Sequence, residues 1–524
     1  MTQRSSLARA GLIVTGAFLA SRLLGWLRIV VFGATFGAGP DLDAFFAAFR
    51  LPDLMFQLVA AGAMSAALVP IVSGLHAHGE DERAWRVAST VLTLILATLL
   101  VLAVVVAVAA PVLIPAIVSF DAAGTERTIE LTRIMLLSPI LLAAAAVATS
   151  LLNAQGRFAA SAVAPLVYNL AIIGAAVFLA PVLGVPGLAL GVVIGALGHL
   201  LIQLRPLRAT GFRYRPQVDL SDPDARQALV LMAPRALGLG ASQVTFLVAT
   251  SLASGLATGS VSAFTFAFTA FQIPLGVIGQ PMGVVTLPSM SRDVARGEVA
   301  GYVSLVTRSV RLILFVMLPI AVIGMVLRTQ AVGLLFNYGR FSERGVELTA
   351  GVLLVLLIAL PPEAMIAILA RAFYANRDTV TPVVAAILAV LINVTFGIVA
   401  VTKLGLELPG IALGIALGSW AEALLLVAVL DRRMAGFRPM DVMEAGVRSA
   451  IGAVLAGLAA SGVLAFLDGA LSHATTKSAL IVEILVAGGA GGLVYLAVSL
   501  ALRIPELTTI VRLMSDALPR PGRP

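Results

Sequence analysis

The chain has 524 residues, of which 60% are hydrophobic and 12% charged, and a formal net charge of +8. A soluble domain carries about 25% charged residues, so the composition excludes a soluble globular protein and points to a lipid bilayer. Cysteine is absent and His76, His78, His199 and His473 lie without ligand spacing, so disulfides are excluded and neither a metal nor another cofactor is expected.

Apolar runs of about 20 residues between charged or Pro/Gly breaks mark transmembrane helices. In chain order they fall near 9–36, 43–73, 87–118, 129–152, 159–182, 186–204, 227–256, 260–289, 302–327, 346–373, 379–402, 408–430, 447–467 and 478–502, which predicts an all-α integral membrane protein of about 14 spans. No small-residue cleavage site ends the run after Arg4 and Arg9, so that run reads as the first span rather than a cleavable leader.

Two stretches of the chain repeat. Pro186-Gly187-Leu188-Ala189-Leu190-Gly191 returns as Pro409-Gly410-Ile411-Ala412-Leu413-Gly414, and Gly211-Phe212-Arg213 as Gly436-Phe437-Arg438. Phe49-Arg50-Leu51-Pro52 is echoed by Phe271-Gln272-Ile273-Pro274. Each repeat holds an even number of spans, so the halves share one orientation, as in transporters with parallel repeats. The expected organisation is a first lobe at 1–206, a cytoplasmic linker at 207–226, a second lobe at 227–440, a terminal helix pair at 441–502 and a cytoplasmic tail at 503–524.

Arginine sets the orientation. Arg83 and Arg86, Arg157, the group Arg205, Arg208, Arg213 and Arg215, then Arg292 and Arg296, Arg377, Arg432 and Arg433 lie on one set of connections, which the positive-inside rule assigns to the cytoplasm together with both termini. Arg328, Arg340 and Arg344 are the exception, on the opposite side. The net positive charge is then a topological signal and an attraction to anionic lipid, and no nucleic-acid partner is expected.

An ionised side chain inside a span costs roughly 2.5–3.5 kcal/mol on insertion scales, so charges there need a reason. Span one carries Arg22 and Arg28; span two carries Arg50, with Asp43 at its outer end. On an ideal helix Arg22 lies about 9 Å beyond Arg28 and about 120° around it, so both meet one ligand only if the site wraps the helix or Gly25 lets it bend. A bound anion is one reading of this ladder; pairing with Asp43, Glu363 or Glu422 is the other. Glu363 and Glu422, mid-span, are candidates for proton coupling. Asn169 and Asn393, at similar places in the repeats, read as helix-to-helix hydrogen bonds, and His199 as a satisfied buried histidine. The glycine series 187/191/195 and 410/414/418 reads as small-residue helix packing. Asp219, Asp222 and Asp224, in the longest loop, look like helix capping and solvation rather than catalysis, so no enzyme is expected.

Several motifs carry a resemblance. Ser21-Arg22-Leu23-Leu24-Gly25 with Arg28, Phe32-Gly33-Ala34, Phe36-Gly37-Ala38-Gly39, Asp43-Ala44-Phe45-Phe46, Ala48-Phe49-Arg50-Leu51-Pro52 and Gly62-Ala63 resemble the MurJ/MviN family of lipid II flippases. So do Asn153-Ala154-Gln155-Gly156-Arg157-Phe158, Ser242-Gln243, Gly339-Arg340-Phe341, and Arg371-Ala372-Phe373-Tyr374-Ala375 with Asp378-Thr379 and Thr381-Pro382. The resemblance implies two six-helix lobes around a central cavity, two added helices whose outer groove takes a lipid tail, and translocation of a polyprenyl-pyrophosphate saccharide across the bacterial cytoplasmic membrane by alternating access. It implies a lipid-linked peptidoglycan precursor and membrane lipids as partners, with cell-wall synthesis enzymes as further candidates. Its substrate residues would be Ser21, Arg22, Gly25, Arg28, Asp43 and Arg50, with Thr269 and Gln272 in the second lobe.

The chain also departs from the family pattern. Ile29, Phe56 and Ala61 stand where members usually have Asp, Arg and Glu, Ala249 where span seven usually has an acid, and Thr269 where span eight usually has an arginine. The basic residues are thus expected in the first lobe alone, and no sodium dependence is expected because the span-seven acid is missing. A flippase for another lipid-linked saccharide and a multidrug exporter of the same superfamily stay open.

Overall fold

The computed structural model describes residues 2–59, 63–470 and 476–517, with side chains left out at 2–15, 59, 63, 65–66, 233–242, 470, 511 and 513–517. Ala61, Gly62 and the Ser242 side chain therefore lie outside the described residues. Every described element is a helix: α1 (Thr2–Phe36), α2 (Pro40–Val59), α3 (Ala63–Ala77), α4 (Asp81–Ile117), α5 (Ala122–Met135), α6 (Leu137–Ala154), α7 (Phe158–Phe178), α8 (Ala180–Leu183), α9 (Val185–Arg208) and α10 (Pro223–Ser254). Then come α11 (Ser260–Pro274), α12 (Gln280–Ala295), α13 (Val299–Val326), α14 (Arg328–Phe336), α15 (Glu343–Leu356), α16 (Leu360–Ala375), α17 (Val380–Thr402), α18 (Glu407–Arg433), α19 (Pro439–Ala470), α20 (Lys477–Ala501) and α21 (Pro505–Ala517).

Twelve helical stretches among the described residues are long and apolar enough to cross a membrane, and they match twelve of the fourteen expected spans. The other two, 43–73 and 227–256, fall on α2–α3 and α10, parts of which lie outside the described residues. Several expected single spans are two helices. Residues 346–373 split into α15 and α16 around a tight turn at Leu357–Ala359, because Pro361 and Pro362 supply no backbone N–H to continue the ladder. Pro274 likewise ends α11 and is followed by a wide helical turn at Leu275–Gly279.

The surface is that of a membrane protein. Leu100, Val101, Val104, Val105, Val108 and Val112 form an exposed apolar face along α4, a pattern stable only against lipid. Lipid offers helices no hydrophobic reason to associate, so close packing of small residues must hold them. A Cβ on Gly195 would come 2.9 Å from the Tyr168 carbonyl of α7; on Gly414 and Gly418 it would come 2.7 Å from carbonyls of Asn393 and Ala389 in α17. The two glycine series thus build the same helix pair twice, α7 with α9 and α17 with α18.

The chain forms two compact units, residues 1–262 with 338–342, and residues 263–337 with 343–524. The first includes α10, which the repeat counts as the first span of the second half. Its attachment is visible in the linker. Backbone N–H groups of Arg215, Gln217 and Asp219 donate to the hydroxyls of Ser89, Thr93 and Thr90 on α4 at 3.3–3.4 Å. Asp222 caps α10 through the Asp224 N–H at 2.9 Å and pairs with Arg83 of α4 at 2.9 Å, while Asp224 pairs with the same arginine. Of the three acids expected to cap or face solvent, Asp222 is the helix cap, whereas Asp224 pairs with Arg83 and Asp219 accepts from the Ser221 N–H and hydroxyl. Leu68, Val91 and Leu151 of α3, α4 and α6 are fully buried with Ala225 and Ala228 of α10 in one apolar core. In the second unit, Tyr495 of α20 donates to the Phe315 carbonyl of α13 at 2.6 Å within a core completed by α19.

Candidate functional site

On α2, Arg50 and Asp53 lie three residues apart and Gln57 four further on, so all three share a helix face. On α10 the same spacing puts Phe246 and Thr250 on one face, and α10 packs against α2. The two faces meet at Arg50, whose Nε donates to Thr250 Oγ1 at 2.8 Å and whose guanidinium lies 5.3 Å from the Phe246 ring centroid. Asp53 is within electrostatic reach of Arg50 and takes a hydrogen bond from the Gln57 side chain. Arg50 is therefore held in position while its terminal amino groups have no hydrogen-bond partner among the described residues.

A second arginine, Arg28, lies on α1. Its guanidinium carbon is 5.9 Å from the Tyr168 ring centroid on α7, and its Nε is buried without a hydrogen-bond partner. Tyr168 interacts electrostatically with both Arg28 and Asp53. Asp53 is the charge neighbour of Arg50, while Arg28 forms no ion pair among the described residues and its buried Nε has no acceptor. A planar fork of N–H groups in this state suits a phosphate or carboxylate ligand.

The other expected site residues do not all join this group. Arg22 is exposed on α1 and stacks on Phe18 at 4.9 Å, one turn away on its own helix. Ser21 and Gly25 are half-buried; a Cβ on Gly25 would meet nothing within 4 Å, and α1 runs through it as one helix. Asp43 does not join the group either. It is buried, and its oxygens accept from the Gly259 N–H at 2.6 Å, the Ser262 N–H at 2.7 Å and the Ser262 hydroxyl at 2.6 Å. With both oxygens engaged by protein donors, Asp43 clasps the α10–α11 connection and is not free to ligate a substrate or pair with the arginines. Thr269 and Gln272 lie on α11 in the second unit: Thr269 is half-buried with its hydroxyl on the Thr265 carbonyl at 2.8 Å, and Gln272 is exposed.

The glycine motifs flanking Asp43 have a structural cause. Gly37 (φ 72°) and Gly259 (φ 91°) are left-handed, and a Cβ on either would come within 2.6–2.7 Å of the Arg340 or Ala38 carbonyl. The Arg340 N–H donates to the Ala34 carbonyl at 2.8 Å, so the motifs around Gly37 and Gly339 are two sides of one joint. Asp378 accepts from the Val380 and Thr381 N–H groups and the Thr381 hydroxyl at 2.6–3.0 Å, which accounts for that motif as the start of α17.

Other readings change in detail. Asn169 is buried, but its side-chain amide donates to the Pro165 carbonyl of its own helix at 3.0 Å rather than to a neighbouring helix. His199 is half-buried, edge-on to Tyr168 at 6.4 Å, and its Nδ1 is buried with no partner, so it is not the satisfied histidine expected. Glu363 accepts from Ser419 Oγ at 2.7 Å and senses Glu422 across α16 and α18. Phe56 packs partly buried against the apolar core, and Ala249 is 2% exposed. Sequence reasoning missed Asp53, Tyr168, Phe246 and Thr250. For Asp53 the signal was present, an acid three residues after an intramembrane arginine.

Apolar helices, paired glycine stripes and a half-buried cationic group define a multi-pass membrane protein with a transporter fold. A family profile described as "Lipid II flippase MurJ" matches residues 32–483. The chain belongs to the lipid II flippase MurJ family. It is 31% identical over 437 residues to "Lipid II flippase MurJ" of Burkholderia cenocepacia, covering 82% of this chain and 84% of that one. It is 30% identical over 520 residues to "Probable lipid II flippase MurJ" of Rhizobium meliloti, covering 97% and 96%. Among solved structures it is similar to "Lipid II flippase MurJ, inward closed conformation", with TM-score 0.77, 23% identity and coverage of 94% and 99%. An inward-facing multidrug resistance MATE family transporter of the MOP superfamily shares the fold at TM-score 0.64 and 17% identity, over 79% of this chain and 95% of that one.

Proposed function

We propose that the chain is a flippase that moves a polyprenyl-pyrophosphate-linked saccharide, lipid II, across the bacterial cytoplasmic membrane by alternating access. The observation that carries this reading is two half-buried arginines, Arg50 held on Thr250 beside Asp53 and Arg28 near Tyr168 with its buried Nε lacking an acceptor. The pyrophosphate supplies the acceptors that these donors lack, and no covalent step is needed: the site binds phosphate, exposes it to the other face and releases it. Arginine keeps its charge when partly buried, which a lysine in the same place would not do reliably.

The lobe division at 1–206 and 227–440, the helix pair at 441–502 as the seat of the lipid tail, and cytoplasmic termini are parts of the same proposal. They rest on the repeat and on arginine placement. Expression of this chain in a bacterium depleted of its own lipid II flippase tests it: sustained growth is expected, and lysis despite normal membrane levels would refute it.

A second reading is favoured by Phe56 and Thr269. One packs apolar and the other is a hydroxyl bonded to its own helix, where the family pattern has arginines. A flippase for a different lipid-linked saccharide would fail the same complementation while still binding a polyprenyl pyrophosphate.

A further inference from the structure

A second polar site lies within the second compact unit. A cavity of about 1000 Å³ opens among α13, the start of α19 and α21, with Arg308, Arg311, Arg512, Asp441 and Glu506 in its wall. Hydroxyls of Thr307 and Thr508 line it as well. The uncharged run 312–327 of α13 covers about 24 Å, close to the hydrocarbon thickness, so Arg308 and Arg311 mark its edge at headgroup level. The run 449–467 of α19, also uncharged, puts Asp441 at the same edge.

The wall is incompletely satisfied. Arg311 donates to Glu506 Oε1 at 2.6 Å, but Glu506 is 6% exposed and its Oε2 is buried with no partner. A buried carboxylate oxygen in that state calls for a donor. Arg308 is exposed and has no hydrogen-bond partner among the described residues. Three arginines against two carboxylates leave a single excess positive charge, the complement of one phosphodiester. Met440, Met443, Val447 and Ile451 form an exposed apolar stripe running from this level along α19, as an acyl chain would require.

We propose that this pocket binds a membrane phospholipid by its headgroup, the phosphodiester on the arginines and a headgroup hydroxyl or ammonium on Glu506 Oε2. The two requirements are separable. Phosphatidylglycerol and phosphatidylethanolamine offer both a phosphodiester and a donor; phosphatidylcholine offers the phosphodiester alone; inorganic phosphate offers the anion with no acyl chain.

The test is native mass spectrometry of the purified, delipidated full chain with these lipids at matched acyl chains. One molecule of phosphatidylglycerol or phosphatidylethanolamine should be retained, phosphatidylcholine should bind about tenfold more weakly, and inorganic phosphate should not displace the lipid. Arg308→Ala, an exposed change compatible with folding, should weaken phosphatidylglycerol binding by about tenfold. Glu506→Gln should erase the preference over phosphatidylcholine, because the amide no longer demands a donor. Equal retention of phosphatidylcholine, or no effect of Arg308→Ala, would overturn the proposal. Displacement by inorganic phosphate would overturn it too, by making this a site for a soluble anion.

Discussion

Replacing Asp43 by alanine should open the joint at the start of α2 while leaving the arginine group intact. The carboxylate accepts from two backbone N–H groups, those of Gly259 and Ser262, and from the Ser262 hydroxyl. The hydroxyl can turn to another acceptor; the two N–H groups cannot. Each buried donor left unsatisfied costs about 1–3 kcal/mol, so the closed joint should lose about 4 kcal/mol, roughly a thousandfold in its opening equilibrium. Asp43→Asn keeps one acceptor oxygen and should lose about half of that free energy. The chain has no cysteine, so Ala38→Cys gives a single thiol next to the joint, where Gly259 closes on the Ala38 carbonyl. Labelling by a membrane-impermeant maleimide then reports local opening. Asp43→Ala should raise the labelling rate by orders of magnitude and Asp43→Asn by an intermediate factor. A rate within about twofold of the parent Ala38→Cys protein for both would show that the clasp does not hold the joint, and the argument from hydrogen-bond satisfaction would fail.

Two further outcomes are expected. The Arg83 guanidinium hydrogen-bonded to Asp222 holds that carboxyl below its ordinary 3.8. A depressed folded value stabilises the linker fully above pH 3.8 and is lost as pH falls through the lower folded value, so cleavage by an acid protease between residues 209 and 222 should stay low down to about pH 4 and rise only below it; a rise between pH 7 and 5 would contradict the pairing. Thr269→Arg should be tolerated and should tighten lipid II binding, measured by ligand-induced thermal stabilisation, because the half-buried hydroxyl is bonded only to its own helix; loss of membrane insertion would place residue 269 against lipid or packed protein.

The sequence made the helices legible because a bilayer demands long uncharged runs, and the twelve matched spans follow from that constraint alone. The paired glycine stripes were legible for a related reason: close helix approach in lipid requires small residues, and the repeat displayed them twice. Breaks within spans were less visible, since a double proline such as Pro361-Pro362 can bend, end or restart a helix depending on its neighbours. The site was half legible. Arg28 and Arg50 stood out by cost, but what holds them, Thr250 and Phe246 of α10 and Tyr168 of α7, comes from far along the chain and follows no local pattern. Asp43 misled because an intramembrane acid near arginines reads as their partner; only the fold shows that backbone N–H groups reach it first. Arg22, six residues from Arg28, shows the limit of helical spacing: the structure leaves the two in different surroundings, one on Phe18 and the other near Tyr168.

The central claim is that Arg28 and Arg50 bind the phosphates of the transported lipid. Its most direct measurement is lipid II binding and translocation by Arg28→Ala and Arg50→Ala in reconstituted vesicles, alongside Arg28→Lys and Arg50→Lys. Each alanine variant removes a charge-assisted fork worth about 1.5–3 kcal/mol, so affinity should fall roughly tenfold to a hundredfold and translocation should be lost with normal membrane expression; lysine should restore the charge but only part of the binding. Wild-type binding and translocation by both alanine variants would contradict the account.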